Sequence, residues 1–425
     1  MQTISGFLIF LSFIITVVAY FIENSFLIIA GLMSWVALLF LFKNVNGKSL
    51  LYKLLVLSFI AFVYSFYKNF NIDFEKVLSI NQYLLTLLIA VGFLRLIATP
   101  KVIKIKELPK GKKSFLKTYL GVHLFGSVIN LSSLIIVADK LYKNAKLTNL
   151  QIITLTRAFA SDAYWSPFFV AFAAAITYAP NLSSIIILSM GLVLALIAFV
   201  VTFFEIKNDK DLDEFRGYPI EFETLYIPLL LAGFVLCTSY YFPEIKVILL
   251  ISIFSFLLTI VILPIKYSFK KSKDKLLNHI NFELPKMKNE LALFLIAGMF
   301  GVSISSVLLG LDLSLPFEQL NGYWASILLL IFVLLSFIGI HPIISIAVLG
   351  NWAEHLDHTL LASAFLMSWA IAVSTSPFSG LNLTMQARYE LETKEVFRIN
   401  LLYAIKMYFV CVIMLFTLSH YLGLQ

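Results

Sequence analysis

Two short runs hold the residues whose types and spacing could do chemistry. "RAFASDAYWSPF" places Arg157, Ser161, Asp162 and Ser166 around Pro167, and "SWAIAVSTSPFSGLNLTMQ" places Ser374, Thr375, Ser376, Ser379 and Asn382 around Pro377. Proline removes a backbone donor and clashes with the carbonyl four residues earlier, so each run predicts a helix broken near its middle. A broken helix exposes N–H groups, which attract anions, and free carbonyls, which coordinate cations. Two further polar patches accompany the breaks. "INLSS" supplies Asn130, Ser132 and Ser133, and "IHPIIS" supplies His341 and Ser345. This chemistry is the binding of a small ion-like solute. No phosphate loop, metal-ligand spacing or nucleophile motif competes with it, so the expectation is a chain that is not an enzyme and needs no metal or cofactor for catalysis.

Any one of these serines or threonines has an ordinary alternative, since such residues often bond back to their own helix or pack as small groups. Asp162 and Arg157 are different, because an ionisable residue inside a span is costly and is by default a functional candidate. Their five-residue spacing suits one helix face poorly, which leaves open whether they pair. A histidine beside a proline, as at His341, also fits a turn.

The elements that must position these residues follow from composition. The 425 residues are 60% hydrophobic and 13% charged, with a mean hydropathy of +0.93, whereas a soluble domain carries about 25% charged residues. The chain is expected to be an all-α polytopic membrane protein. Its net charge of +8 comes from lysines in short loops between apolar runs, where they orient the chain in a bilayer, so nucleic acid is not an expected partner. The start, "MQTISGFLIFLSFIITVVAYFIENS", lacks a basic n-region and a cleavage site and reads as a first span. Cys237 and Cys411 both lie in apolar runs and offer no disulfide framework. The 40 phenylalanines are expected to face lipid.

A span needs about 20 apolar residues. Candidates are 4–22, 26–42, 50–67, 80–98, 150–179 (broken), 182–204, 225–242, 245–265, 290–310, 360–389 (broken) and 398–420, about eleven crossings. Lysines from Lys101 to Lys117 precede or begin the stretch 114–139, and Lys140, Lys143 and Lys146 follow it. Basic loops stay cytoplasmic, so 114–139 is expected to be a re-entrant hairpin that enters from the cytoplasm and returns there. The stretch 323–350 has no Lys or Arg on either flank and is expected to be the mirror case, opening outward. With the Ser-Pro-Phe of residues 166–168 matching that of 376–378, the chain reads as two inverted repeats. The predicted organisation is scaffold helices in 1–100, a first transport unit in 101–204, scaffold helices in 205–310 and a second transport unit in 311–425.

This layout resembles the ion transporter superfamily, closest to the divalent anion sodium symporters and, further off, to arsenite permeases and citrate transporters. "INLSS" stands where their first Ser-Asn-Thr tip would be, with Asn130 as its asparagine, and "IHPIIS" stands at the second. "WSPFF" and "STSPFSGLN" are similar to their two broken helices. Neither triplet is complete, and His341 replaces the second asparagine. The resemblance implies secondary active transport by an elevator mechanism, coupling to sodium or protons, a sodium ion near Asn130 and Thr375, and a homodimer. The predicted function is therefore symport of a small anionic solute across a bacterial-type inner membrane, with the N-terminus cytoplasmic. The predicted site comprises Asn130, Ser132, Ser133, Asp162, Ser166, Pro167, His341, Ser345, Thr375, Ser376, Pro377 and Asn382. Two other functions fit the composition: a membrane-embedded enzyme of envelope polysaccharide assembly, and a cation/proton antiporter centred on Asp162.

Overall fold

Apolar runs without free backbone partners in lipid must satisfy their N–H and C=O groups internally, and helices do so. The computed structural model describes residues 1–98, 107–143, 145–208, 210–218 and 226–424; it is 80% helical, with no strand among the described residues. Lys101, Lys104 and Lys106, used in the loop-charge argument, lie outside the described residues, as does the expected boundary at 100/101.

The first five helices are α1 (Gln2–Phe21), α2 (Phe26–Leu41), α3 (Lys48–Tyr67), α4 (Phe74–Ser79) and α5 (Gln82–Ala98). They are followed by α6 (Lys112–Ile129), α7 (Leu131–Tyr142), α8 (Asn149–Ala160), α9 (Val170–Tyr178) and α10 (Ser184–Ile206). Next come α11 (Tyr226–Tyr241), α12 (Val247–Lys266), α13 (Phe269–Asn278) and α14 (Lys288–Gly310). The last are α15 (Gly322–Phe337), α16 (Pro342–Trp352), α17 (His358–Thr375), α18 (Gly380–Tyr389) and α19 (Thr393–Tyr421).

Among the described residues, nine helical segments are long and apolar enough to span a membrane. Two of the predicted crossings do not qualify. The stretch 150–179 is split into the 12-residue α8 and the 9-residue α9, and α11 has 16 residues. The loop expected between Lys266 and Lys288 is also largely helical, because α13 continues through a π-turn at His279–Glu283 into α14.

The chain forms two compact units. One contains Met1–Ala98, Ile227–Pro316 and Ile346–Glu354; here α1 packs on α2 and α5, α5 on α12, and α3 on α14. The other contains Thr99–Tyr226, Phe317–Ser345 and His355–Gln425. Its centre is α17, which packs on α8, α9, α15 and α19; the segment from His358 to Tyr389 has 94% of its apolar window buried, against 28% for α3. Every residue of the predicted site falls in this second unit.

The phenylalanines do not all face outward. Phe13, Phe93, Phe115, Phe125, Phe172 and Phe365 are fully buried, while Phe7, Phe59, Phe66 and Phe409 are exposed. A rotationally symmetric apolar helix gives no sign of which face meets protein, so composition alone cannot separate core from lipid contact.

Within the second unit, residues 210–218 strap the starts of α6 and α8 together. Gly111 N–H donates to Phe215 O at 2.9 Å, Gly217 N–H to Pro109 O at 3.1 Å, and Gln151 Nε2 to Arg216 O at 2.7 Å. Lys110 pairs with Glu214 at 2.6 Å, and this hydrogen bond and charge hold the Glu214 carboxyl below its usual range.

Candidate functional site

The first break is built by competition between α8 and Pro167. A capping box between Thr148 and Gln151 starts α8, satisfying donors that the helix itself leaves free. After Ala160 the chain tightens into a 3-10 turn, Ser161–Tyr164, and Pro167 stops it; α9 resumes at Val170. Ser166 then pins the break to α6: its Oγ donates to Ser127 O and accepts from Phe168 N–H at 3.2 Å. The turn between α6 and α7 is a single residue, Asn130, with φ of 53°, a backbone that asparagine tolerates better than most side chains. Its Nδ2 reaches Phe168 O at 3.3 Å, and Ser133 Oγ donates back to Asn130 O at 3.1 Å. Ser132 sits half-exposed on the first turn of α7.

The second break follows the same plan. A residue before proline is pushed to extended backbone, and Ser376 has φ −59° and ψ 128°, ending α17 at Thr375. Ser376 Oγ donates to Ser336 O at 2.6 Å and accepts from Phe378 N–H at 3.2 Å. Ser379 caps α18 by accepting from Asn382 N–H, and Asn382 Nδ2 donates to Ser376 O at 2.8 Å. Thr375 is buried with its Oγ1 3.3 Å from Ser374 Oγ. Ser345 is buried on the first turn of α16.

Sequence alignment places Asn130 opposite His341, and each stands immediately before a short helix, α7 or α16. The two serine pins, however, pair Ser127 with Ser336, which puts Gly339 (φ 100°) opposite Asn130 on the left-handed turn. From the acceptor serine to the next helix the second stretch is thus two residues longer. His341 Nδ1 accepts the Ile343 N–H at 3.2 Å and its ring stands edge-on to Trp369, with centroids 5.1 Å apart. Through this bond the imidazole caps the start of α16. A small cavity of ≈ 20 Å³ lies between His341, Trp369, Ser336, Ser376 and Ser379, room for about one water.

Arg157 and Asp162 do not pair with one another. Arg157, 1% exposed, bonds Glu205 at 2.5 Å, Asn400 Oδ1 at 2.9 Å and Ile399 O at 3.3 Å, and its guanidinium lies 4.3 Å from the Tyr403 ring centroid. Asn400 Nδ2 in turn reaches Ser374 O at 3.1 Å, just before the second break. Asp162 is fully buried and faces His123 of α6, whose Nδ1 lies 2.7 Å from Asp162 Oδ1. This is ion-pair distance with the N–H axis out of line, so neither carboxylate oxygen receives an aligned hydrogen bond. Sequence reasoning missed His123 and Glu205. Both are single ionisable residues in apolar runs, "YLGVHLFGS" and "VVTFFEIK", the same signal that singled out Asp162.

Among the described residues no group of three or more His, Cys, Asp or Glu could hold a metal ion. A hard monovalent cation needs oxygen acceptors instead. Asn130 Oδ1 and Asn382 Oδ1 are buried and receive no hydrogen bond, and neither oxygen of Asp162 receives an aligned one. A scan against known protein families matches none of them, and a search of characterised proteins finds no similar sequence.

Proposed function

We propose that the chain is a secondary active transporter of a small, anionic solute, built from two inverted repeats, each with a re-entrant hairpin and a broken helix. The observation that carries this reading is the pair of matched breaks, in which Ser166 and Ser376 make the same two bonds to a preceding helix–turn–helix and its own Phe N–H. Non-helical backbone at membrane depth is tolerated where it is buried in protein or lines a cavity. Four half-length helices, α7, α9, α16 and α18, begin near these breaks and turns, and their N-termini suit an anion. With 12 and 11 residues, α7 and α16 are too short to cross, which favours hairpins that turn back. In this reading the unit holding both breaks moves as an elevator, the other serves as the scaffold, and the protein works as a homodimer in a bacterial-type inner membrane.

One observation favours a second reading. The acceptors Asn130 Oδ1, Asp162 Oδ2 and Asn382 Oδ1, which receive no hydrogen bond, suit a cation, as in a cation/proton antiporter. Thermal unfolding of the purified protein against inorganic anions, monocarboxylates, dicarboxylates and alkali cations separates the two, since a ligand that binds only the native state raises Tm. A rise with one anion class, lost in Asn382→Ala and matched by uptake into proteoliposomes, is expected. Stabilisation and flux by alkali cations alone would transfer the protein to the antiporter reading.

A further inference from the structure

The matched breaks differ in the side chains that stand one turn before each pinned serine and its acceptor. His123 lies four residues before Ser127, and Asp162 four residues before Ser166; the corresponding positions before Ser336 and Ser376 are Phe332 and Ala372. The backbone bond at this step is the same in both halves, Ser166 N–H to Asp162 O at 2.9 Å and Ser376 N–H to Ala372 O at 2.8 Å. A Ser-Pro break therefore forms without a histidine and a carboxylate, and the pair in the first half answers some other requirement.

Its geometry specifies a protonation state. Trp165 Nε1–H donates to His123 Nε2 at 3.3 Å, so that nitrogen presents its lone pair. His123 Nδ1 faces Ala158 O at 3.2 Å, Ser161 Oγ at 3.0 Å and Asp162 Oδ1 at 2.7 Å. A carbonyl and a carboxylate only accept, so Nδ1 carries the proton and the ring is neutral. The other carboxylate oxygen points at α6, because a Cβ on Gly126 would stand 2.3 Å from Asp162 Oδ2 and 3.2 Å from Ser133 Oγ. An ionised Asp162 beside a neutral ring leaves one uncompensated negative charge.

The surroundings do not cancel it. The other ionisable groups on the packed elements are Tyr119 and Lys112, Lys113 and Lys117 on α6, Asp139, Lys140 and Tyr142 on α7, Arg157 on α8, Tyr164 in the turn itself, Tyr178 on α9, Glu205 on α10 and His358 on α17. Arg157 is committed to Glu205, Glu205 also to Lys406, and Asp139 to Arg388. Buried charge without a partner is unfavourable, and one proton removes it.

We propose that His123 and Asp162 form a proton-carrying pair and that this proton is the coupling ion of the transport described above. With neutral His123 and ionised Asp162 the pair carries one negative charge; one added proton, held as imidazolium–carboxylate or imidazole–carboxylic acid, makes it neutral, and its release restores the charge. No other bond changes. His123, whose side chain is 13% exposed against 0% for Asp162, is the more accessible member of the pair. The link to coupling rests on the transporter reading, whereas proton binding by the pair does not.

The test is infrared difference spectroscopy of the full-length protein in lipid, between about pH 5 and about pH 8.5, a range that brackets ordinary histidine titration. A buried carboxyl C=O band should appear on acidification, shift on carboxyl-13C labelling of aspartate, vanish in Asp162→Asn, and move to another pH in His123→Gln. Asp139→Asn should retain it. Gly126→Ala, whose new methyl displaces Oδ2, should alter its frequency and gives a second readout if Asp162→Asn does not fold. Identical labelled and unlabelled spectra in wild type, or a band unaffected by His123→Gln, would overturn the pair. Proteoliposomes loaded with a pH-sensitive dye supply the coupling arm, using inorganic phosphate, acetate and succinate as probes. Solute flux that acidifies the lumen in wild type and not in Asp162→Asn supports coupling, and flux driven by a sodium gradient with no proton movement overturns it. A band with no flux of any probe removes the transporter reading and leaves the proton pair standing.

Discussion

Arg157 sits in a setting where Nε and both terminal nitrogens of its guanidinium find acceptors on other helices. Glu205 of α10 takes one end of the guanidinium, Asn400 of α19 takes Nε, and Tyr403 covers its face. Removing one partner of a buried ion pair costs about 3–5 kcal/mol because it strands the other charge, whereas replacing both by apolar groups is often neutral. Glu205 is 20% exposed and keeps Lys406 at 2.8 Å, so Arg157 is the member that suffers more when the pair is split. Glu205→Gln is expected to destabilise the detergent-solubilised protein by about 3 kcal/mol, and Arg157→Met with Glu205→Leu to recover most of that loss. Equal, additive losses in the single and double variants, measured by chemical unfolding, would refute the pairing. The sequence announces Arg157 and Asp162 as costly residues in apolar runs, but not their partners. His123 and Glu205 lie on other helices, and charge spacing along one helix carries no information about a contact made in the tertiary fold.

Helix breaks are the most legible elements, because proline acts locally. Pro167 follows the 3-10 turn that ends α8 and Pro377 follows the end of α17, and Ser376 shows the extended backbone that a following proline imposes. The turns before α7 and α16 are less legible, since a two-residue difference in the spacing from the acceptor serine to the next helix leaves hydrophobicity unchanged and appears only when Gly339 takes the positive φ opposite Asn130. Since Ser166 and Ser376 make equivalent bonds, Ser166→Ala and Ser376→Ala should each cost about 1 kcal/mol and leave a buried carbonyl, of Ser127 or Ser336, short of one donor. Both should also lower solute flux. Loss of flux in one variant only would show that the halves are not functionally matched. The strap at 210–218 carries a pH-dependent contact. Glu214 titrates below its usual range when folded because of Lys110, so its contribution is present above the unfolded carboxylate pKa and is lost as pH falls through the lower folded value. Backbone amides at Gly111 and Gly217 are expected to exchange faster relative to the rest of the second unit below about pH 4, and Glu214→Gln should remove that acid-specific increase.

At the scale of the whole chain, the sequence property with the longest reach is the distribution of lysine and arginine, which constrains topology without any contact being known. Lys140, Lys143 and Lys146 follow α7, and Lys110, Lys112, Lys113 and Lys117 surround the start of α6. On the positive-inside bias both groups are expected in the cytoplasm. The 12 residues of α7 span about 18 Å at 1.5 Å per residue, less than the hydrocarbon thickness of about 30 Å. Both constraints are met if α6 and α7 enter and leave on one side. The segment between α16 and α17, "AEHLDH", has no basic residue, and the same reasoning puts it outside. In a variant with Cys237 and Cys411 replaced by serine, a cysteine at Lys146 should react with a membrane-impermeant maleimide only after the cytoplasmic face is opened, and one at His355 should react in intact cells. Both positions are exposed, so failure to label cannot be assigned to burial. Labelling of position 146 from outside intact cells would mean that 114–139 crosses once, reversing the sidedness of everything between it and the next hairpin. The inverted-repeat arrangement, and with it the transporter reading, would not survive that result.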